Sequence, residues 1–162
     1  MFIRTAGERD LEAVRALLVE TWHATYDGIY GAEGVAAISD RWHSVAWLRQ
    51  SMRRPRSEFI VADTGSQLAG MAYAAILAND AGVVELQEMN VRPAMQGAGV
   101  GGLLLDEVQS SFFECRLIRL EVEEKNRRAV RFYEAAGFSR TGSKKATQWV
   151  DATLATMEKR LS

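Results

Sequence analysis

Four glycines close together mark the part of this sequence best suited to chemistry: Gly97, Gly99, Gly101 and Gly102. They follow a strand predicted at residues 83–91, and they precede a helix predicted over residues 102–113. Glycine lets a ligand approach the backbone closely, and the free amides at a helix start attract anions. The pattern therefore predicts a cradle for a phosphate group.

The spacing of these glycines excludes two common phosphate-binding motifs. A dinucleotide-binding turn needs two residues before its third glycine, whereas only Val100 separates Gly99 from Gly101. A P-loop needs a lysine and a serine or threonine after the last glycine, and neither follows here. The pattern that fits is Gln-x-x-Gly-x-Gly, which begins at Gln96. The alternative is a glycine-rich turn that only packs a helix close to a strand.

A second group of residues follows a strand predicted at residues 116–122. Asn126 suits the N-cap of a helix over residues 127–136, and Gly137 suits its C-terminal end. Tyr133 comes seven residues, or about two turns, after Asn126, so the two side chains share a helix face. Taken alone, this pattern is that of a capped helix with an aromatic residue on its core face.

Together the two patterns resemble the motifs of the GNAT N-acetyltransferase superfamily. The second motif reads Asn-x-x-Ala-x-x-x-Tyr-x-x-x-Gly-Phe and ends at Phe138. The resemblance runs from about residue 2 to 161, and residues 85–138 are its specific part. It implies an α+β fold with a mixed, mostly antiparallel sheet of six to seven strands, helices on both faces and central strands splayed for CoA. It also implies an acyltransferase that moves an acetyl group from acetyl-CoA to an amine.

The resemblance further implies where acetyl-CoA binds. The pantetheine arm would enter the gap between the strands at 83–91 and 116–122 and pair with the backbone of Met89 and Val91. Asn126 would bind the pantetheine or its phosphate end, and Tyr133 would lie near the thioester sulfur. The pyrophosphate would lie against the glycine-rich turn, that is Gln96, Gly97, Ala98, Gly99, Val100, Gly101 and Gly102.

The chemistry of acetyl transfer asks for three groups. An alkyl ammonium with a pKa near ~10.4 must lose a proton to a base. The oxyanion needs a donor, for which an unpaired backbone N–H near Met89 is well placed. The departing thiolate needs a proton, and the Tyr133 hydroxyl is the expected acid.

Two carboxylates on the predicted central strand are candidate bases, Glu85 and Glu88. They are three residues apart and point to opposite faces of a regular strand. Glu85 matches where some relatives place a glutamate base, whereas Glu88 is nearer the glycine turn and would face the acetyl group if a bulge shifted the register. The alternatives are a water relay without an essential carboxylate, or glutamates that only face solvent or pair across strands.

The acceptor site is expected in the aromatic segment at residues 22–30, which glycines interrupt. The pattern Trp22-x-x-x-Tyr26-x-Gly28 resembles a loop between the first two helices of many small-molecule members, so Trp22, Tyr26 and Tyr30 are predicted to contact the substrate. A small-molecule amine is therefore the expected acceptor, although the helical register also suits Trp22 as a core residue. The competing hypotheses are a protein or peptide amine acceptor and a non-catalytic acyl-CoA-binding module.

The remaining elements follow from hydrophobic periodicity and turn signals. Asp10 is a predicted N-cap for the first helix, and a second helix is predicted over residues 34–52. Further strands are predicted at residues 2–6, 58–63, 68–77, 138–142 and 149–159. The order β-α-α-β-β-β-α-β-α-β-β is that of an α+β fold with a mixed sheet.

Length and composition limit the function classes. A chain of 162 residues suits one domain over residues 1–162, and a net charge of −1 offers no general attraction for nucleic acid or an anionic membrane. One cysteine excludes an internal disulfide, and with only two histidines a metal site is not expected. No membrane span or signal peptide is recognised, so a cytoplasmic location is expected. The resemblance implies a homodimer by analogy only.

Overall fold

The computed structural model describes residues 1–162 and consists of seven strands and five α-helices. The strands are β1 Phe2–Thr5, β2 Ser57–Asp63, β3 Leu68–Leu77, β4 Asp80–Val91, β5 Leu117–Glu123, β6 Ser139–Ala146 and β7 Ala152–Arg160. The helices are α1 Leu11–Tyr30, α2 Ala32–Trp42, α3 Val45–Arg53, α4 Val100–Ser111 and α5 Arg127–Ala135. Two 3₁₀ turns lie at Glu8–Asp10 and Pro93–Met95.

All seven strands belong to one sheet in the order β1-β2-β3-β4-β5-β7-β6. Only the central pair, β4 and β5, is parallel, and every other neighbouring pair is antiparallel. The predicted α+β fold with a mixed, mostly antiparallel sheet is confirmed. None of the helices combines the length and hydropathy needed to cross a membrane.

The sheet separates two apolar cores. On one face, Leu17 and Leu18 of α1 and Leu48 of α3 pack against β2 and β3. On the other face, Leu104 of α4 and Tyr133 of α5 join apolar side chains from β2 through β7. Strand β3 serves both cores because its side chains alternate: Met71, Tyr73 and Ala75 face α1 and α3, whereas Ala72 and Ala74 face α4. The predicted placement of helices on both faces is therefore confirmed.

The first helix is longer than predicted, because it includes the aromatic segment that was expected to be a loop. Helix α1 continues to Tyr30 and ends where Gly31 adopts a positive φ of 83°. Trp22, Tyr26 and Tyr30 are four residues apart and stack along one helix face, with ring centroids 4.5 Å and then 5.1 Å apart. This stacking offsets the cost of about 1 kcal/mol that Gly28 imposes inside a helix.

The single helix predicted over residues 34–52 is two helices, α2 and α3. The chain bends at His43 and Ser44, and the Ser44 hydroxyl accepts a hydrogen bond from Trp47 N–H at 3.1 Å as the N-cap of α3. Asp10 occupies the N-cap position of α1 as predicted, but its carboxylate makes no cap bond to that helix. Instead it accepts hydrogen bonds from the backbone of Gly7 and from Arg4.

Candidate active site

The two parallel strands separate halfway along their length. Pairing of β4 with β5 runs from Val83 opposite Leu117 to Leu86 opposite Leu120, and then stops. Beyond that point the strands border a cavity of about 780 Å³, lined by the C-terminal halves of both strands, by α1, by the glycine-rich turn and by α5. We call this space the donor cavity. Helices on both faces of the sheet contribute to its lining.

Backbone groups of β4 point into this gap. Met89 and Val91 lie opposite Ala72 and Gly70 of β3 in non-hydrogen-bonded pairs, as the bond from Arg92 N–H to Ala69 C=O at 2.8 Å shows. Their own N–H and C=O groups therefore face away from β3. The side-chain amide of Gln96 donates to the Val91 carbonyl at 3.1 Å, which leaves the Met89 peptide groups and the Val91 N–H facing the cavity.

The glycine-rich turn presents free amides to the same cavity. Gly97 and Gly99 both have a φ of 85°, a backbone conformation that favours glycine. Helix α4 begins at Val100, and its first hydrogen bond runs from Leu103 N–H to Gly99 C=O at 3.2 Å. The amides of the preceding three residues have no acceptor within the helix, so the turn has the strand–glycine–helix geometry that suits an anion.

The later glycines of the turn differ in what surrounds them. A Cβ on Gly101 would lie 3.2 Å from Cζ of Phe132, so this glycine allows α4 to approach α5. A Cβ on Gly102 would meet no atom within 4 Å, although this residue also lines the donor cavity. Gly101 therefore has a packing role that Gly102 does not share.

The start of α5 borders the cavity from the other side. Oδ1 of Asn126 accepts from Ala129 N–H at 3.3 Å, which confirms the predicted N-cap. Its Nδ2 donates to the Tyr26 hydroxyl at 3.1 Å, so both polar atoms of the side chain already have partners. Arg128 also lines the cavity, and sequence reasoning missed this cation although two arginines follow Asn126 directly.

Tyr133 is buried at the inner end of the donor cavity, with 7% of its surface exposed. Its ring packs edge-on against Phe132 and Phe138, and its hydroxyl makes no hydrogen bond within the chain. Burial raises the pKa of Tyr133 well above its usual value, and the nearby Tyr26 and Glu88 raise it further. The hydroxyl therefore keeps its proton at neutral pH.

A bulge in β4 decides where the two candidate bases point. Glu88 pairs with Tyr73 and Leu86 pairs with Ala74, so Gln87 is an extra residue. The bulge breaks the regular alternation that would put Glu85 and Glu88 on opposite faces, so the structure shows the alternative of a shifted register at Glu88. Both side chains lie on the face covered by α1 and α3.

The two glutamates nevertheless differ in what they reach. Glu85 lies beside Arg119 of β5. Its side chain lines neither the donor cavity nor a second, smaller cavity that adjoins it and is described below. Glu88 lines both of them. Of the two candidate bases, only Glu88 is brought together with Tyr133 and the free backbone of β4.

A buried histidine contacts the Glu88 carboxylate. His43 is 2% exposed, and its Nε2 lies 3.4 Å from Oε1 of Glu88. Its Nδ1 lies 3.0 Å from the Ser39 hydroxyl, and Asn90 donates to the other Glu88 oxygen at 3.3 Å. Sequence reasoning missed His43 and Ser39. The signal that could have found them is their i, i+4 spacing on a helix, just before the Ser44 cap.

A second, smaller cavity adjoins the first on the α1 and α3 side of the sheet. Its volume is about 340 Å³, and it shares Trp22, Gln87 and Glu88 with the donor cavity. We call it the aromatic pocket, because three tryptophans and Phe59 contribute to its walls. Glu88 is therefore the one ionisable side chain at the boundary between the two spaces.

The three aromatic residues predicted to contact substrate all line the donor cavity, and Trp22 alone also lines the aromatic pocket. The Tyr30 hydroxyl donates to buried Glu123 at 3.0 Å, which with burial raises the pKa of Tyr30. Burial raises the pKa of Tyr26 to about 12. Tyr26 and Tyr30 are therefore neutral, and their hydroxyls contact Asn126 at the start of α5 and Glu123 at the end of β5.

Comparison with known proteins finds similarity to acetyltransferases. A family model for the acetyltransferase (GNAT) domain matches residues 26–161. The chain is 30% identical over 145 residues to the spermidine N(1)-acetyltransferase of Thermoplasma acidophilum, across 84% of this chain and 86% of that protein. It is 32% identical over 104 residues to the N-alpha-acetyltransferase RimI of Mycobacterium tuberculosis, across 64% and 65% of the two chains.

A solved structure supports the same relationship. The PaiA N-acetyltransferase of Thermoplasma acidophilum, in complex with coenzyme A, matches with a TM-score of 0.85 and 25% sequence identity. The match covers 98% of both chains, so it includes every element that borders the donor cavity.

Proposed function

Because this chain belongs to the GNAT acetyltransferase family and is an N-acetyltransferase that uses acetyl-CoA, we propose that its acceptor is the primary amine of a small molecule. The amine attacks directly, with both substrates bound at once. One observation carries this proposal: the donor cavity and the aromatic pocket meet at Glu88, so a donor and an acceptor can approach one carboxylate from opposite sides.

The donor cavity fits acetyl-CoA. The glycine turn offers free amides and the positive end of the α4 dipole to a pyrophosphate, and Gly97, Gly99 and Gly102 leave open space where a Cβ would point. Arg128 adds a positive charge that Gln96 and Ala98 do not supply. The peptide groups of β4 that face the cavity can form hydrogen bonds with an extended arm that contains amides, as they would with a neighbouring strand. When bound, acetyl-CoA supplies the acetyl thioester.

The chain's own groups fit the three chemical roles. The Met89 N–H, which faces the gap, donates to the acyl oxygen as negative charge develops there. The Tyr133 hydroxyl, which lines the donor cavity and is protonated at neutral pH, gives its proton to the departing sulfur. The Glu88 carboxylate removes the proton from the incoming ammonium. Glu85 lines neither cavity and is left without a catalytic role.

His43 and Ser39 position the base. A carboxylate accepts hydrogen bonds only, so the His43 nitrogen facing Glu88 must carry a proton, and the Ser39 hydroxyl then donates to the other ring nitrogen. This chain of hydrogen bonds fixes the tautomer and holds the carboxylate at the junction of the two cavities.

Two other functions remain as alternatives. A protein or peptide amine acceptor is favoured by the similarity to RimI, which is named an N-alpha-acetyltransferase. The walls of the aromatic pocket favour a small molecule over a peptide, because tryptophans from α1, α2 and α3 enclose it. A non-catalytic acyl-CoA-binding module would not need the Glu88, His43 and Ser39 contacts, which no part of CoA binding explains.

We also propose that residues 1–162 form a single domain, which the continuous sheet from β1 to β7 supports. A homodimer through the last two strands is proposed as well, since β6 forms an exposed edge of the sheet. The one cysteine, Cys115, is buried and unpaired, which is consistent with the cytoplasmic location we propose.

The proposed donor site is tested by titrating acetyl-CoA and free CoA into the purified protein in a calorimeter. Gly102→Glu places a carboxylate in the cradle without backbone strain, since Gly102 has ordinary helical geometry and open space around it. Gly102→Gln is the control of matched size. We expect the Glu variant to lose binding by more than tenfold relative to the Gln variant. Equal affinities, or no binding of acetyl-CoA to the unchanged protein, would contradict the proposed site.

A further inference from the structure

The aromatic pocket has mostly apolar walls and one acidic side chain, although the proposed function requires it to bind an ammonium. Trp22, Trp42, Trp47 and Phe59 contribute to its walls. Glu88 is the only acidic side chain that lines it, and Glu88 also contacts His43. The pocket therefore provides one site for a positive charge and aromatic walls for the rest of the molecule.

We propose that the aromatic pocket selects a primary monoamine with a compact aromatic body, such as an arylalkylamine, and discriminates against polyamines. This inference rests on the proposed function, because it identifies the acceptor class of the same site. The ammonium lies at Glu88, where the pocket meets the donor cavity, and the ring lies among the tryptophans. The ammonium loses one proton to Glu88 and the nitrogen loses a second as the C–N bond forms. The C–S bond of the thioester breaks and CoA leaves as its thiol, which accounts for the second proton, so no further reactant is needed.

The volume of the pocket suits this acceptor class. A cavity of about 340 Å³ has room for roughly eleven groups of the size of water, at about 30 Å³ each. Arylalkylamines such as 2-phenylethylamine and tryptamine are of this size. A longer chain would have to extend past Trp47, which is 37% exposed and forms part of the outer wall.

The charges around the pocket oppose a polyamine. A spermidine molecule bound through one ammonium would bring further positive charges among apolar side chains, where an unpaired charge is costly. Outside the pocket, the guanidinium of Arg41 lies 5.2 Å from the ring centroid of Trp42 and adds a like charge. This arrangement separates the chain from its relative of Thermoplasma acidophilum, which is named a spermidine N(1)-acetyltransferase.

The inference is tested by comparing 2-phenylethylamine with spermidine as acceptors. Thiol release from acetyl-CoA is measured for each amine, and binding of each amine to the complex with CoA is measured by quenching of tryptophan fluorescence. We expect kcat/KM for 2-phenylethylamine to exceed that for spermidine by at least tenfold. Spermidine used equally well or better would overturn the acceptor class and leave the transferase function standing.

A second negative charge in the aromatic pocket should improve spermidine as an acceptor relative to 2-phenylethylamine. Ser51 lines the pocket from α3 and is partly exposed, so Ser51→Glu introduces a carboxylate without burying it fully. Ser51→Gln is the control of matched size. We expect the Glu variant to improve spermidine relative to 2-phenylethylamine by about tenfold, and the Gln variant to keep the original preference. An unchanged preference in the Glu variant would contradict this reading of the pocket.

The binding measurement separates failure of this inference from failure of the proposed function. If 2-phenylethylamine binds the complex with CoA and Ser51→Glu weakens that binding, but no amine releases thiol, the pocket assignment stands and the catalytic proposal fails. If neither binding nor thiol release favours 2-phenylethylamine, the inference is wrong whatever other amine is acetylated.

Discussion

Nε2 of His43 lies 3.4 Å from Oε1 of Glu88, and this contact joins the bend between α2 and α3 to the bulge in β4. Each irregularity alone would be a minor deviation from a helix or a strand. Together they bring a histidine and a carboxylate into one buried site, next to the space where β4 and β5 separate.

Replacing Glu88, the candidate base, should slow the chemical step. Glu88→Gln keeps the size of the side chain and removes its ability to take a proton, so we expect kcat/KM to fall by about 10²-fold at neutral pH. Glu85→Gln is the matched control, since Glu85 lines neither cavity, and we expect it to stay within about twofold of the parent enzyme. A large loss in the Glu85 variant, with activity retained in the Glu88 variant, would reverse the assignment.

His43 should act through Glu88 and not through the substrates. His43→Leu removes the hydrogen bond that helps hold the Glu88 carboxylate in position, so proton transfer from the amine should become slower. We expect about a tenfold loss of kcat at pH 7, with KM for acetyl-CoA unchanged. His43→Gln retains a donor and should restore part of the rate. No recovery in the Gln variant, or a matching rise in KM for acetyl-CoA, would indicate a purely structural role.

Tyr133→Phe should separate catalysis from binding. The substitution removes only a hydroxyl that has no hydrogen-bond partner in the chain, so the packing against Phe132 and Phe138 is kept. We expect kcat to fall by about 10²-fold while the calorimetric affinity for CoA stays the same. Turnover at the parent rate would exclude Tyr133 as the acid.

The same variant should also change stability in alkali. The folded-state pKa values of Tyr26 and Tyr133 are raised mainly by burial, that of Tyr26 to about 12, whereas unfolded tyrosine titrates near ~10. Between these values the unfolded chain has lost protons that the folded chain keeps, so the free energy of unfolding falls as pH rises above about 10. We expect urea titrations to show a decline that is shallower in Tyr133→Phe by up to about 1.4 kcal/mol per pH unit. Identical slopes would contradict the raised pKa of Tyr133.

Tyr73→Phe should stabilise the protein. The Tyr73 hydroxyl is buried and has no hydrogen-bond partner, which costs about 1–3 kcal/mol of desolvation. The ring packs edge-on against Phe59 with centroids 5.6 Å apart, and phenylalanine retains that contact. We expect Tm to rise by several degrees without a change in CoA affinity. A lower Tm would show that the hydroxyl makes a hydrogen bond in solution.

Much of the fold could be predicted from periodicity and spacing. The alternation along β2 and β3 and the glycines after Pro93 are local signals, as is the interval from Asn126 to Tyr133. Each of these signals depends only on residues that are close in the sequence. Each element that the signals predict is present in the structure.

The features that were missed or left open depend on contacts between distant residues. The bulge at Gln87 is only one of the alternatives that the sequence leaves open for Glu88, because the extra residue is set by the pairing with β3 and not by a glycine or proline. Gly28 suggested a break in α1, but stacking of Tyr26 on Tyr30 keeps the helix intact. His43 gave no signal of its own, since its role arises only when β4 brings Glu88 to it.

The meeting of the two cavities at one carboxylate has a consequence for how this enzyme can diversify. The aromatic pocket is built almost entirely from residues 22–73, whereas the donor cavity draws its cradle and its acid from residues 86–133. Selection can therefore rework the first half of the chain for a new acceptor while the second half is preserved. A chimera that takes residues 1–80 from a relative should inherit that relative's choice of amine and keep this protein's affinity for CoA.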